Sequence, residues 1–176
     1  FRINYNTVPS STVPIILKTK TGRKKLVMAR WGLIPNWWNK KKPPSHSFNA
    51  RVETAISKPM WQDNIRENRC IFPAWGWYEW KTMSQNKTLV KNPYYFQRDE
   101  KIPLSFAGTY CIRKTSLDFI EITAAILTVQ SLKNLDKVHN RMPLIIGPND
   151  ESYWLKSQSK PTPSLDYLTK NLKKQP

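Results

Sequence analysis

The stretch RCIFPAWGWYEWK, residues 69–81, combines apolar and aromatic residues with a single carboxylate, Glu79. Aromatic and β-branched residues favour β-strands, so this stretch predicts a strand. A carboxylate on such a strand has two interpretations. It is a salt-bridged edge residue, or it is an acid that the surrounding rings keep out of water.

Other runs along the chain carry the same strand pattern, and we predict a strand-rich core from them. These runs are residues 12–18, 25–34, 92–98, 103–113, 119–129 and 141–147. Helices are fewer and are predicted at 49–68 (interrupted by Pro59), 149–158 and 163–174. Basic, polar loops are predicted at 39–47 and 81–92. The class is therefore α+β and mainly β, a compact barrel-like or strongly bent sheet with peripheral helices.

Length and composition predict one folded domain. The chain has 176 residues, 39% of them hydrophobic, which is sufficient for a sizeable core. Its 29 Lys and Arg against 12 Asp and Glu give a formal net charge of +17. This excess indicates a polyanionic partner, with nucleic acid as the first candidate. The alternative is a lysine-biased composition that produces a basic, solvated surface.

Several classes of protein are excluded. The sequence has neither an apolar run of about 18 residues nor a signal-peptide pattern, so we expect no membrane segment. Cys70 and Cys111 are far apart and predict buried free thiols rather than a disulfide scaffold. Only His46 and His139 could join them, without any paired ligand spacing, so we expect neither a metal nor a cofactor.

Two adjacent tryptophans, Trp37 and Trp38, follow Pro35 in a predicted loop and precede three lysines at 40–42. Consecutive residues of an extended chain point in opposite directions, so we expect one ring to pack inward and the other to face solvent. An exposed tryptophan beside lysines is typical of single-stranded nucleic-acid sites. The alternative is that both rings belong to the core.

Asn49 and Arg51 share a face if their segment is extended, because they are two residues apart. An amide and a guanidinium on one face could bind a phosphate or a sugar oxygen. Asn49 could instead, or in addition, be the N-cap of the helix predicted at 49–68.

His139 lies in a polar turn between two apolar runs, and Arg141 follows two residues later. Histidine exchanges protons near neutral pH, which makes a loop histidine a candidate acid or base. A purely structural histidine is the alternative. Arg141 could hold a phosphate beside it.

Five motifs occur in the order and approximate spacing of the SRAP family, the SOS response-associated peptidases or abasic-site processing proteins. They are YNTVPS (5–10), RWGLIPNWW (30–38), FNARVET (48–54), CIFPAWGWYEWK (70–81) and HNRMP (139–143). The sequence resembles this family over nearly the whole chain, from Arg2 to about Trp154.

The resemblance implies a protein that binds single-stranded DNA carrying an abasic site and shields the lesion during replication with a covalent crosslink. In this family an N-terminal cysteine condenses, through its α-amino group and thiol, with the ring-opened sugar aldehyde to form a thiazolidine. By position, Asn49, Glu79 and His139 resemble the catalytic residues of the family. The residues that resemble those lining its DNA groove are Arg2, Pro9, Trp37, Trp38, Arg51, Thr128 and Arg141.

The side chains near Glu79 agree with this chemistry. Condensation of an amine with an aldehyde needs proton transfers, which a carboxyl group of raised pKa can supply. Walls formed by Trp75, Trp77, Tyr78 and Trp80 would raise the pKa of Glu79, because desolvation disfavours the charged form. His139 could supply the second proton transfer, at the opening of the sugar ring.

The sequence departs from the family pattern at Phe1, since no Met-Cys-Gly-Arg start is present. Neither Cys70 nor Cys111 carries the free α-amine that a thiazolidine requires. We expect residues 1–176 to form a single SRAP-like domain that lacks its N-terminal segment and part of its C-terminus. Such a chain would bind DNA as a monomer without forming the crosslink.

The sequence is also compatible with two other functions. One is a non-catalytic single-stranded DNA-binding module in which Glu79 is structural, and the other is a lysine-rich structural domain. The family name implies that the protein removes its own leader, but no Ser/His/Asp or Cys/His arrangement indicates a general peptidase. The expected location is the cytoplasm, at the nucleoid, in a bacterium and the nucleus in a eukaryote.

Overall fold

The computed structural model describes residues 4–85, 88–98, 102–115, 119–156 and 162–172. Ten strands are assigned in these ranges: β1 (Thr12–Lys18), β2 (Lys24–Trp31), β3 (Asn49–Arg51), β4 (Arg69–Ala74), β5 (Gly76–Gln85), β6 (Thr88–Gln97), β7 (Leu104–Lys114), β8 (Ile120–Gln130), β9 (Arg141–Pro143) and β10 (Ile145–Ile146). The helices are α1 (Val52–Ala55), α2 (Gln62–Glu67), α3 (Glu151–Trp154) and α4 (Thr162–Leu172), with a 3-10 turn at Pro148–Asp150.

Five of the strands close into a barrel, which confirms the predicted mainly β, barrel-like class. The sequence of neighbours is β7-β4-β1-β2-β8, and β8 pairs with β7 to complete the ring. The pairing of β2 with β8 is parallel, and the other four contacts are antiparallel. Strands β3 and β9 extend the sheet from β8, and β10 extends it from β7.

Apolar residues at alternate positions of the barrel strands fill its interior. On β1 the residues Val13, Ile15 and Leu17 are buried, and their neighbours along the strand are more exposed. This period of two is the reason that the runs predicted from sequence fold as strands.

Strands β5 and β6 form a separate two-stranded sheet, paired in register from Gly76↔Gln97 to Gln85↔Thr88. The prediction of a loop at 81–92 was therefore wrong for residues 81–85 and 88–92, because both arms of the hairpin continue through these polar residues, and residues 86–87 lie outside the described residues. The rings of Trp77 and Phe96 stack with centroids 5.0 Å apart and hold the base of the hairpin. A Cβ at Gly76 would overlap the carbonyl oxygen of Phe96, so only glycine fits where the chain turns from β4 into β5.

The helix predicted at 49–68 was wrong at its start. Asn49 lies in β3, which pairs with β8, so Asn49 is not an N-cap. The N-cap position of α1 is Arg51, and it makes no side-chain capping bond. The helices predicted at 149–158 and 163–174 are confirmed as α3 and α4, and residues 157–158 and 173–174 of these predictions lie outside the described residues.

A buried arginine connects the C-terminal helices to the barrel. Arg69, at the start of β4, donates to the carbonyl oxygen of Ile65 at 2.9 Å and to Oγ of Ser164 at 3.2 Å. Its guanidinium lies 4.6 Å from the ring of Trp154, a cation–π contact. Desolvation lowers the pKa of Arg69 to about 10. In the described part of the chain, no helix is long and apolar enough to cross a membrane.

Candidate active site

Strand register brings four of the residues singled out in the sequence onto one face. Asn49 and Arg51 are the two exposed residues of β3. Arg51 pairs with Thr128 on β8, and Gln130, two residues further on, pairs with Arg141 on β9. Residues two apart on a strand, and residues paired across strands, share a face of the sheet. Asn49, Arg51, Thr128 and Arg141 therefore point to the same side.

An acid–histidine pair lies next to these residues. Oε2 of Glu79 on β5 is 3.3 Å from Nδ1 of His139, and the two side chains are 21% and 44% exposed. Nδ1 is also 3.0 Å from the carbonyl oxygen of Arg141 and 3.3 Å from its backbone nitrogen. The imidazole is thus held at Nδ1, while Nε2 has no hydrogen-bond partner among the described residues. A ring fixed in this way can exchange protons with Glu79 on one side and with a bound molecule on the other.

Burial raises the pKa of Glu79, and the charge of His139 opposes this shift in part. The predicted desolvation is confirmed, but most of the predicted walls are not its cause. Trp75, Tyr78 and Trp80 are exposed, and strand alternation places Tyr78 and Trp80 on the opposite face of β5 from Glu79. Trp77 shares the face of Glu79 and packs edge-on against the buried Phe106, with ring centroids 5.9 Å apart. Glu79 is consequently desolvated by its position toward the barrel.

The guanidinium of Arg141 is held by an acid that the sequence reasoning missed. Nη1 and Nη2 bind Oε1 and Oε2 of Glu53 at 2.7 and 3.0 Å, a bidentate pair. Nη2 also donates to the backbone oxygen and to Oγ1 of Thr128. The hydrogen bond from Arg141 lowers the pKa of Glu53. The sequence does show Glu53 two residues after Arg51 in the FNARVET motif. It does not show that Glu53 pairs with Arg141, which is distant along the chain.

Arg51 differs from Arg141 in its pairing with carboxylates. It is exposed, and within the described residues it forms no ion pair with a carboxylate. Of the two arginines on this face, Arg51 is therefore the one whose charge is directly available to an anion.

The tandem tryptophans lie in the loop after β2, and the prediction that one faces solvent is confirmed. Trp37 is 54% exposed, whereas Trp38 is partly buried and donates from Nε1 to the backbone oxygen of Lys42 at 2.9 Å. The ring centroids are 5.8 Å apart, and Nζ of Lys40 lies 5.3 Å from the ring of Trp38. A flat aromatic surface beside positive charge suits base stacking.

Some of the predicted DNA-binding residues have no contact with the Glu79–His139 pair among the described residues. Pro9 is exposed in the turn before β1. Among the described residues, no hydrogen bond, ion pair or ring contact joins Pro9, Trp37 or Trp38 to the Glu79–His139 pair. Arg2 lies outside the described residues.

Both cysteines are free and fully buried, as predicted. Burial raises the pKa of the Cys70 and Cys111 thiols, and Sγ of Cys111 lies 3.2 Å from Oδ1 of Asn36. Neither thiol is available as a surface nucleophile. The residues that the structure describes contain no group of three or more His, Cys, Asp and Glu that could hold a metal ion.

The fold and this site together define a small β-barrel protein with an acid–histidine pair beside arginines, and with an exposed tryptophan on the loop after β2. The chain belongs to the SRAP family (SOS response associated peptidase), whose family model matches residues 1–176.

Relatives and solved structures agree with this assignment. Over 168 residues the chain is 32% identical to the abasic site processing protein YoaM of Bacillus subtilis, covering 96% of this chain and 71% of YoaM. It is 30% identical to an abasic site processing protein of Saccharomyces cerevisiae, covering 98% of this chain but only 45% of the yeast protein. A crystal structure of a Bacteroides thetaiotaomicron protein superposes with a TM-score of 0.78 at 27% identity, over 90% of this chain and 68% of that protein. The chain thus spans only part of each of these proteins.

Proposed function

We propose that this protein processes abasic sites in single-stranded DNA. Two of its relatives are named abasic site processing proteins, and the chain presents a cationic, aromatic surface with a net charge of +17. The observation that carries the proposal is the 3.3 Å contact between Glu79 and His139 on the side where Arg51 is exposed. An acid–base pair beside an available guanidinium suits chemistry on a sugar flanked by phosphates.

The proposed reaction is the condensation of an N-terminal cysteine with the aldehyde of the ring-opened sugar. The α-amine adds to the carbonyl carbon to give a carbinolamine, and Glu79 donates the proton with which its hydroxyl leaves as water. The iminium ion that remains returns its N–H proton to the Glu79 carboxylate and becomes an imine. The thiol then adds to the carbon of the resulting imine, and its proton goes to the nitrogen. The product is a thiazolidine, with one water released overall.

Each residue of the site has a role in this scheme. His139 moves the proton that opens the sugar hemiacetal, and its Nε2, which has no hydrogen-bond partner in the described ranges, is the atom suited to this task. Asn49 orients the sugar from β3, and Arg51 binds a neighbouring phosphate. The raised pKa of Glu79 keeps part of its population protonated closer to neutral pH, as a general acid requires.

The cysteine of this reaction must be N-terminal. Cys70 and Cys111 are internal and buried, so neither can substitute for it. Removal of any leader before that cysteine, by the protein itself, is part of the proposal. Intact-mass measurement of the complete protein tests it, because processing leaves a mass that begins at the cysteine. A retained leader would refute the self-processing step.

A denaturing gel tests the function itself. The complete protein is incubated with a single-stranded oligonucleotide that contains uracil, with and without uracil glycosylase. We expect a shifted band that survives denaturation and depends on the glycosylase. If binding is seen only on a native gel, the protein is instead a non-catalytic single-strand binding module, for which the exposed Trp37 and Arg51 would suffice.

A further inference from the structure

A cleft with a volume of about 300 Å³ lies apart from the Glu79–His139 pair. Its walls are Pro9–Ser10 before β1, Arg30–Gly32 at the end of β2, and the loop 43–48 that leads into β3. Glu79, His139 and Arg141 do not line this cleft.

The cleft contains a positive charge without a carboxylate partner. Nη2 of Arg30 donates to Oγ of Ser10 at 2.8 Å, and Nη1 donates to the backbone oxygen of Gly32 at 3.2 Å. Both acceptors are neutral, and no ion pair within the described residues includes Arg30. A guanidinium has five N–H donors in a fixed fork, so further donors of Arg30 remain for an anion.

The backbone around Arg30 is shaped to hold the guanidinium in place. Gly32 has φ +142°, and a Cβ at this position would press against Nη1 of Arg30. Glycine is therefore required for this conformation, and the absence of a Cβ leaves room for the guanidinium beside the backbone. The arginine is preorganised rather than free to move in solvent, which reduces the entropy lost when it binds a ligand.

Two unusual backbone conformations occur at the same cleft. Among the described residues, Ser10 and His46 are the non-glycine residues with positive φ, at 76° and 53°. Both line the cleft. Such conformations are costly for residues with a Cβ, and they concentrate at ligand-binding sites. At this cleft they place a hydroxyl, which accepts a hydrogen bond from Arg30, and an imidazole, whose ring centroid lies 6.3 Å from that of Phe48.

The cleft is joined to the candidate active site through the chain. Nε1 of Trp31 donates to the backbone oxygen of Phe48 at 2.9 Å, and both residues line the cleft. Asn49, the first residue of β3, follows Phe48 directly. A strand of DNA whose sugar lies at Asn49 would therefore pass close to the cleft.

We propose that this cleft binds a phosphate group of the DNA strand, with Arg30 as the main ligand and Ser10 and His46 as supporting donors. A phosphate matches the forked donors of a guanidinium, and hydroxyl and imidazole groups bind its remaining oxygens. The inference rests on the proposed function in one respect, since it takes the bound polyanion to be single-stranded DNA.

The experiment measures binding by fluorescence anisotropy with an oligonucleotide that carries a non-reactive abasic analogue, which fixes the register. Each phosphate is replaced in turn by an uncharged methylphosphonate. For the wild-type protein, we expect about ten-fold weaker binding when one particular phosphate is neutralised. Arg30→Gln should bind the unmodified strand about ten-fold more weakly and should show no further loss at that phosphate.

Two matched variants complete the test. Lys25→Gln removes the same charge from an exposed position at the other end of β2, and it should keep wild-type affinity and position dependence. His46→Asn removes the imidazole but tolerates positive φ, and it should weaken binding several-fold even if Arg30→Gln fails to fold. Comparing 5′-phosphorylated with 5′-hydroxyl strands tells whether the bound group is terminal or internal.

The inference is overturned if Arg30→Gln keeps the position dependence of the wild type, or if Lys25→Gln and Arg30→Gln lose affinity equally. Failure of the proposed function is a separate result. In that case the wild type forms no crosslink on a denaturing gel, while the difference between Arg30→Gln and Lys25→Gln on ordinary single-stranded DNA still reports on the phosphate site.

Discussion

The contact between Glu79 and His139 predicts that the two residues act as one unit, which a double-mutant cycle can measure. When Glu79 is ionised and His139 is protonated, their opposite charges at 3.3 Å attract by about 5 kcal/mol at an effective dielectric constant of about 20. The side chains are 21% and 44% exposed, so solvent screening lowers the expected coupling to about 1 kcal/mol. A coupling of this size corresponds to about a five-fold effect on a rate.

The assay is the single-turnover rate of crosslinking to abasic single-stranded DNA, with the complete protein. Glu79→Gln and His139→Gln should each slow the reaction by about 100-fold or more, because each removes a proton-transfer group. The double variant should be at least about five-fold faster than the product of the single effects predicts. Glu121→Gln is the control, since it removes an acid from a surface pair with Arg113 and should leave the rate unchanged. Single effects that simply multiply would refute the coupling.

Four further results are expected. Glu53→Gln removes the carboxylate that holds Arg141, which then becomes available to a DNA phosphate. The slope of log affinity against log salt concentration should become more negative by about 0.7, and an unchanged slope would contradict this. Trp37→Ala should weaken binding of single-stranded DNA about ten-fold without changing the melting temperature, as anisotropy and thermal unfolding would show. Trp154→Ala should lower the free energy of unfolding by about 3–5 kcal/mol in denaturant titrations, because the fully buried ring leaves a cavity; a loss under 1 kcal/mol would be inconsistent with that. Because the folded pKa of Glu79 is raised, stability should fall as pH rises from the ordinary value of 4.5 through the raised value, and this decline should be absent in Glu79→Gln.

Much of the barrel could be predicted from the sequence because its strands alternate between buried and exposed residues. The runs at 12–18, 103–113 and 119–129 match β1, β7 and β8 to within about one residue at each end, the usual uncertainty of assigned boundaries. The sequence predicted a barrel-like sheet but not which strands close it, since closure depends on the parallel pairing of β2 with β8, which are distant along the chain.

Two of the predictions made from the sequence were wrong for specific physical reasons. The hairpin arms at 81–84 and 88–92 are mostly exposed, so their polar composition resembled a loop although the backbones pair in register. Asn49 has the residue type of an N-cap, but pairing of its segment with β8 buries Ala50 and overrides that local preference.

The candidate site was only partly predictable for a similar reason. Asn49, Glu79 and His139 were predicted because each lies in a recognisable sequence motif. Glu53 was not predicted, because its partner Arg141 lies on β9, far from it along the chain. Arg30 and His46 likewise gain their significance from a cleft formed by three separate segments. Charge and residue type can be read along a chain, but the distance between two groups depends on the fold.

Intact-mass spectrometry of the complete protein after incubation with an abasic single strand tests the central claim most directly. The expected adduct has the summed mass of protein and DNA less one water, it maps to an N-terminal cysteine, and it forms far more slowly with Glu79→Gln. An adduct that forms equally fast with Glu79→Gln, or no adduct at all, would contradict the role assigned to this site.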